Sequence, residues 1–101
     1  MRYLAMTCLT VCFIHSAHAE LTPEQRCDKQ GEVAAQAAKL RISGTDKDTA
    51  MKTLNRIYDR PGTGVTADNV RGMVTVAYMA KMKPEQMKKY AIDQCRKDIL
   101  K

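Results

Sequence analysis

Cysteine is the residue type in this chain whose number and spacing point most clearly to chemistry. Of four cysteines in 101 residues, Cys8 and Cys12 lie in an apolar N-terminal stretch, whereas Cys27 and Cys95 lie near opposite ends of the remaining chain. This spacing is not the Cys-x-x-Cys motif of redox enzymes, and two thiolates alone do not complete a tetrahedral zinc site. We therefore predict a structural disulfide between Cys27 and Cys95, provided that the chain enters an oxidising compartment.

Residues 1–19, MRYLAMTCLTVCFIHSAHA, have the features of a signal peptide that is cleaved. A positive charge at Arg2 precedes an apolar run over residues 4–14, and residues 17–19 form the small-x-small pattern that signal peptidase accepts. The apolar run is too short to cross a hydrocarbon layer of about 30 Å, so no stable membrane anchor is expected. We predict a periplasmic or secreted protein with a single helical domain over residues 20–101.

The remaining chain offers few groups for catalysis. Cleavage removes both histidines, His15 and His18, and with them the usual general base near neutral pH. Ser43 is the only serine after residue 19, and no base lies beside it in the sequence. Carboxylate pairs such as Asp93 and Asp98 lie among lysines, which is typical of a solvated helix surface. The prediction is a protein that is not an enzyme and that uses neither a cofactor nor a metal ion.

Hydrophobic spacing and capping signals predict four helices in the domain. Their expected ranges are 22–42, 46–60, 67–82 and 84 to the C-terminal end. In an up-down-up-down bundle, the start of the first helix and the end of the last lie at the same pole. Cys27 and Cys95 occupy these two positions. The predicted fold is therefore all-α, a small four-helix bundle closed by one disulfide between the first and last helices.

The third predicted helix is apolar over most of its circumference. From Gly72 to Ala80, only Thr75 and the hydroxyl of Tyr78 are polar. Such a helix is either surrounded by the core or has a face for a partner, and burial is the more common explanation. If the helix binds a partner, methionine supplies an adaptable surface. The predicted partner-binding residues are Met73, Val76, Met79 and Met82, with Met87 extending the same surface.

A glycine-rich connection precedes the third helix, and exposed amides there could bind an anion together with nearby arginines. The predicted anion-binding residues are Arg60, Gly62, Gly64 and Arg71. The segment lacks the full spacing and the lysine of a phosphate-binding loop. A flexible turn that needs positive φ angles is the alternative explanation, and the one that we favour.

The formal charge of +6 suggests an acidic partner. Nucleic acid is not expected, because the chain is exported, its basic residues are interleaved with acidic ones, and no aromatic residues line a basic stripe. Anionic envelope material or an acidic protein fits the charge better.

Three functional hypotheses follow from these features. The first is a non-enzymatic protein-binding protein of the cell envelope, of the inhibitor, immunity or accessory type, for which a homodimer is an alternative arrangement. The second is a stress holdase: in size, leader, helical content and single disulfide, the chain resembles periplasmic acid-stress chaperones in architecture, without a shared sequence motif. The third is a binder of anionic envelope material.

Overall fold

The computed structural model describes residues 21–100, and within this range it contains four helices and no strand. The helices are α1 (Pro23–Ile42), α2 (Lys47–Tyr58), α3 (Ala67–Ala80) and α4 (Pro84–Ile99). The all-α prediction is confirmed. The predicted signal peptide, residues 1–19, lies outside the described residues.

Local hydrogen bonds explain where the helices begin. At the start of α1, the Thr22 hydroxyl accepts from the Gln25 amide at 3.1 Å, and the Gln25 side chain accepts from the Thr22 amide at 2.8 Å. Thr66 and Asn69 form the same reciprocal pair at the start of α3. Each pair satisfies amides that have no partner within the helix. These starts agree with the predicted ones.

Helix α2 ends at Tyr58, two residues earlier than predicted. The residue before a proline is sterically driven out of the helical region, so Arg60, which precedes Pro61, does not continue the helix. Asp59, the C-cap, has also left the helical region, with a ψ of 68°, so α2 ends two residues before the predicted residue 60.

Helix α3 also ends early, at Ala80 instead of Met82, because Lys81 adopts a left-handed conformation with φ of 56°. The guanidinium of Arg41, near the end of α1, donates to the carbonyl oxygens of Ala77 at 2.8 Å and Met82 at 2.9 Å. These two bonds satisfy carbonyls at the end of α3 and in the turn that follows it. They also show that α1 and α3 run in the same direction.

Helix α1 is the central element, because it packs against each of the other three helices. Helix α4 reaches the rest of the molecule chiefly through α1, whereas α2 and α3 also pack against each other. The buried side of α1 consists of small residues, which let helix axes approach closely. Together the four helices and one loop residue enclose a core formed by Val33, Ala34, Ala37, Ala38, Ala50, Leu54, Val65, Val70, Val74, Ala77, Met87 and Ala91.

The predicted disulfide is present and joins α1 to α4. The Cα atoms of Cys27 and Cys95 are 5.4 Å apart, within the span that a disulfide bridges without backbone movement. One turn further along α1, Gly31 lies against Ile92 of α4: a Cβ placed on Gly31 would be 2.7 Å from the Ile92 Cγ1 atom. The fold is thus a four-helix bundle whose first and last helices are in close contact and covalently linked.

Replacing both cysteines, Cys27→Ala with Cys95→Ala, should lower the free energy of unfolding by about 4 kcal/mol, because the disulfide removes the entropy of a long loop from the unfolded chain. Urea denaturation of the purified protein measures this loss. Wild-type protein treated with a reducing agent is the matched control and should lose a similar amount. A loss below about 1 kcal/mol would contradict the prediction that this link stabilises so small a bundle.

The two glycines inside helices should respond in opposite ways to alanine. A Cβ on Gly72 of α3 would meet no atom within 4 Å, so Gly72→Ala should raise the free energy of unfolding by about 1 kcal/mol through helix propensity. Gly31→Ala gains the same propensity but forces Ile92 to move, and should lower it by about 1 kcal/mol. Thermal and urea denaturation compare the two variants. Equal shifts of the same sign would show that the α1–α4 contact is looser than the structure indicates.

Candidate binding groove

The two sides of α3 have different surroundings. Val70, Val74 and Ala77 are fully buried against the core, whereas Gly72 is exposed and Met79 is 75% exposed. The sequence left open whether α3 is buried in the core or has a face for a partner, and the structure shows one side of each kind. One side of α3 is core, and the other faces away from it.

A groove of about 290 Å³ runs between α3 and α4, and Gln30 of α1 contributes to its lining. It exists because α3 and α4 both pack on α1 and hardly on each other. Its α3 wall carries two of the predicted partner-binding residues. The residues of this wall are Asp68, Asn69, Gly72, Met73 and Val76.

The α4 wall of the groove includes the disulfide-bonded Cys95 and continues to Asp98. Its residues are Tyr90, Ala91, Gln94, Cys95 and Asp98. Each wall spans eight residue steps, which is about 12 Å, or roughly two turns, at the helical rise. Since α3 is parallel to α1 and α4 is antiparallel to it, Asp68 and Asp98 lie at one end of the groove, and Val76 and Tyr90 at the other.

The charged groups in the lining of the groove are carboxylates, although the chain as a whole is basic. Asp68 accepts from Arg71 Nη1 at 3.0 Å, and both side chains of this pair are largely exposed. Such an exposed ion pair contributes little to stability in water, so Asp68 can also interact with a charged group of a bound molecule. The groove thus has an acidic end and, toward Val76 and Tyr90, an uncharged end with apolar and aromatic side chains.

The predicted methionine surface is only partly assembled. Met73 lines the groove but is half-buried and packs against the core, and Met79 is exposed beyond the lining residues. Met82 is half-buried and packs against the core. Met87 was placed on this surface wrongly: it is fully buried, because the inward stripe of α4 directs it into the core with Ala91.

The predicted anion-binding residues, Arg60, Gly62, Gly64 and Arg71, do not surround one cavity. A cavity of about 270 Å³ at the glycine turn is lined by Leu21, Arg26, Gly62 and Gly64. A Cβ on Gly64 would be 2.7 Å from the Leu21 Cδ1 atom and 2.9 Å from the Arg26 Cγ atom. Gly64 also has a φ of 76°. Both observations explain structurally why a glycine occupies position 64. Anion binding at this turn stays a prediction.

A further cavity, of about 400 Å³, follows another flank of α4, where cations and carboxylates alternate. Its lining residues are Glu85, Lys88, Lys89, Ile92, Asp93 and Arg96. Lys89 Nζ donates to the Asp93 carboxylate at 2.8 Å, and this bond holds the pKa of Asp93 below its usual value. This flank therefore presents mixed charge rather than a uniformly basic surface.

Tyr78, two residues beyond the α3 wall, links α3 to the connection between α1 and α2. Its hydroxyl donates to the Thr45 carbonyl, in the connection between α1 and α2, at 2.6 Å. Burial raises the pKa of Tyr78 above its usual value, and the carboxylate of Asp46 raises it further, while Arg41 acts in the opposite direction. The neutral hydroxyl is thus the form that the fold stabilises.

In the part of the chain that the structure describes, no group of three or more His, Cys, Asp or Glu side chains could hold a metal ion. Within residues 21–100, no helix is both long enough and apolar enough to cross a membrane. Comparison of the chain with models of protein families, with curated proteins and with solved structures gave no significant match. Its function is therefore inferred from its own geometry.

The α4 wall was not predicted as part of a site. Tyr90 and Gln94 are polar or aromatic residues in a helix that the sequence presents as basic, and nothing in their spacing relates them to α3. Gly72 did carry a signal, because a glycine in a helix interior costs about 1 kcal/mol relative to alanine. A glycine in a helix interior is one signal of close approach by another group, but in this structure a Cβ on Gly72 would meet no atom within 4 Å.

The stability of the protein should fall at alkaline pH through Tyr78. A raised pKa in the folded state means that the stabilisation is complete below the usual tyrosine value of 10.0 and is lost as the pH rises through the higher folded-state value. Tyr78→Phe should lower the free energy of unfolding at pH 8 by about 1 kcal/mol, through the lost hydrogen bond, and should flatten the decline above pH 10. Urea midpoints from pH 8 upward measure both effects. Tyr90→Phe, at an exposed position, is the control; an unchanged alkaline decline in Tyr78→Phe would contradict this assignment.

Proposed function

We propose that this protein is a small, exported, non-enzymatic binding protein that holds a protein partner along the α3–α4 groove. The observation that carries the proposal is the groove itself, where Gly72, Met73 and Val76 line an open space between two helices. Met79, 75% exposed, extends this surface along α3. Met73 and Val76 are half-buried and pack against the core, so Met79 is the exposed methionine beside the groove, and an exposed methionine of this kind is typical of surfaces that bind other proteins.

Export is supported by two features. Residues 1–19 have the charge, apolar run and cleavage pattern of a signal peptide. The disulfide between Cys27 and Cys95 is of the kind that persists in oxidising compartments. We place the protein in the periplasm or outside the cell, where inhibitors, immunity proteins and accessory subunits of envelope machines act.

The groove favours protein binding over the other two hypotheses. The cations of α4 alternate with carboxylates, which weakens the case for anionic envelope material. The holdase hypothesis gains no specific support from the described residues and stays a prediction. A groove that matches about two helical turns suits a defined segment better than a mixture of unfolded clients.

The test uses the processed, oxidised protein as bait in an envelope extract, with chemical crosslinking and mass spectrometry. We expect one partner in stoichiometric amount, and at least a tenfold loss of it with Val76→Asp and with Met79→Asp, because a buried charge at an interface is costly. Circular dichroism confirms that each variant is folded. Ile57→Asp is the matched control, since Ile57 is an exposed apolar residue on α2. If Val76→Asp and Met79→Asp both still bound the partner, this face of α3 would not be the binding surface.

A further inference from the structure

Gly72 is unexplained by the packing of the chain itself. Of the two glycines inside helices, Gly31 admits the Ile92 side chain of a neighbouring helix, whose Cγ1 and Cδ1 atoms would be 2.7 and 2.8 Å from an added Cβ. Gly72 is equally interior to its helix, but an added Cβ would meet nothing within 4 Å, and the residue opens onto the groove. The molecule thus contains one glycine with an aliphatic side chain from a neighbouring helix against it, and a second with that space unfilled.

The length and shape of the groove match a helix. Its walls are two antiparallel helices, each contributing about 12 Å of lining, and α1 closes the bottom through Gln30. A segment lying between them would meet α3, α4 and α1 as a fifth helix of the bundle. Two turns present anchors at i, i+3 or i+4, and i+7, the spacing used by helices that bind in grooves.

Charge identifies the character of that helix. Asp68 and Asp98, the charged residues of the lining, lie at the same end. Arg71, three residues after Asp68 in α3 and not among the residues that line the groove, forms the exposed 3.0 Å pair with it. A lysine or arginine on the incoming helix would meet these two carboxylates at this end, beside the Arg71 that pairs with Asp68.

We infer that the occupant of the groove is a single α-helix of a partner protein. It carries an aliphatic residue over Gly72 and a lysine or arginine about two turns or less away, toward Asp68 and Asp98. This inference rests on the proposed function and specifies the partner segment that the groove accepts.

The probe is a library of helix-forming peptides displayed on phage. Selection uses the processed, oxidised protein, after depletion of the library on Gly72→Leu, whose Cβ would meet no atom within 4 Å and whose larger side chain occupies the space over the glycine. Affinities of the selected peptides are then measured by fluorescence anisotropy against the variants. Ala80→Leu places the same side chain at an exposed position of α3 outside the groove.

A second pair of variants tests the contribution of charge to binding. Asp68 and Asp48 both occupy the second position of a helix and both are exposed. Asp68→Asn and Asp48→Asn each remove a carboxylate from the first turn of a helix, but only Asp68→Asn removes a charge from the groove, together with the partner of Arg71.

We expect the selected peptides to share an aliphatic residue with a lysine or arginine three to seven positions away. Gly72→Leu should weaken their binding at least tenfold, and Ala80→Leu should leave it unchanged. Asp68→Asn should weaken it about threefold at low salt and less at high salt, and Asp48→Asn should not. Enrichment of acidic peptides, equal binding to Gly72→Leu, or the absence of any enriched peptide would overturn the inference.

Two results separate this inference from the proposed function. A natural partner that is lost with Val76→Asp but retained by Gly72→Leu would leave the function standing and overturn the helix assignment. A second copy of the chain as the occupant, seen as a dimer in sedimentation that Gly72→Leu abolishes, would overturn the assignment to a partner protein.

Discussion

The contact between α1 and α4 determines the arrangement of the rest of the structure. Gly31 brings the two helices close enough for Ile92 to lie against the α1 backbone, and the disulfide one turn away holds them together. Since α1 also packs against α2 and α3, it is shared by all parts of the bundle. Helix α4 is therefore placed chiefly by α1, and the space between α3 and α4 is a consequence of that placement.

Much of the fold follows from local chemistry that a sequence displays. Thr22, Asp46 and Thr66 cap helices where capping residues were expected, because a cap depends on side chains only three residues away. The disulfide was predictable because two cysteines in a bundle of four helices have one plausible partner each. The errors at the helix ends have local causes that differ: Arg60 precedes Pro61 and cannot continue α2, whereas α3 ends because Lys81 adopts a left-handed conformation.

The groove was not predictable in the same way. It joins side chains from α1, α3 and α4, and its existence depends on how far apart two helices lie on a third. Residue type does not distinguish Met79, which is exposed, from Met87, which is fully buried. Both are methionines within or beside amphipathic segments, and only the rotation of each helix about its axis separates them. That rotation is fixed by tertiary packing.

The alanines of α1 have a further consequence for how the molecule can vary. Ala34, Ala37 and Ala38 are completely buried, and their side chains have no rotamers to adjust. Any larger residue at these positions would push a neighbouring helix outward instead of being absorbed locally. The distance between α3 and α4 thus depends on the small size of the alanine side chains on α1. Substitutions at these buried positions would therefore change the width of the groove, and with it the size of the segment that fits there. The substituted residues themselves would not contact the bound segment.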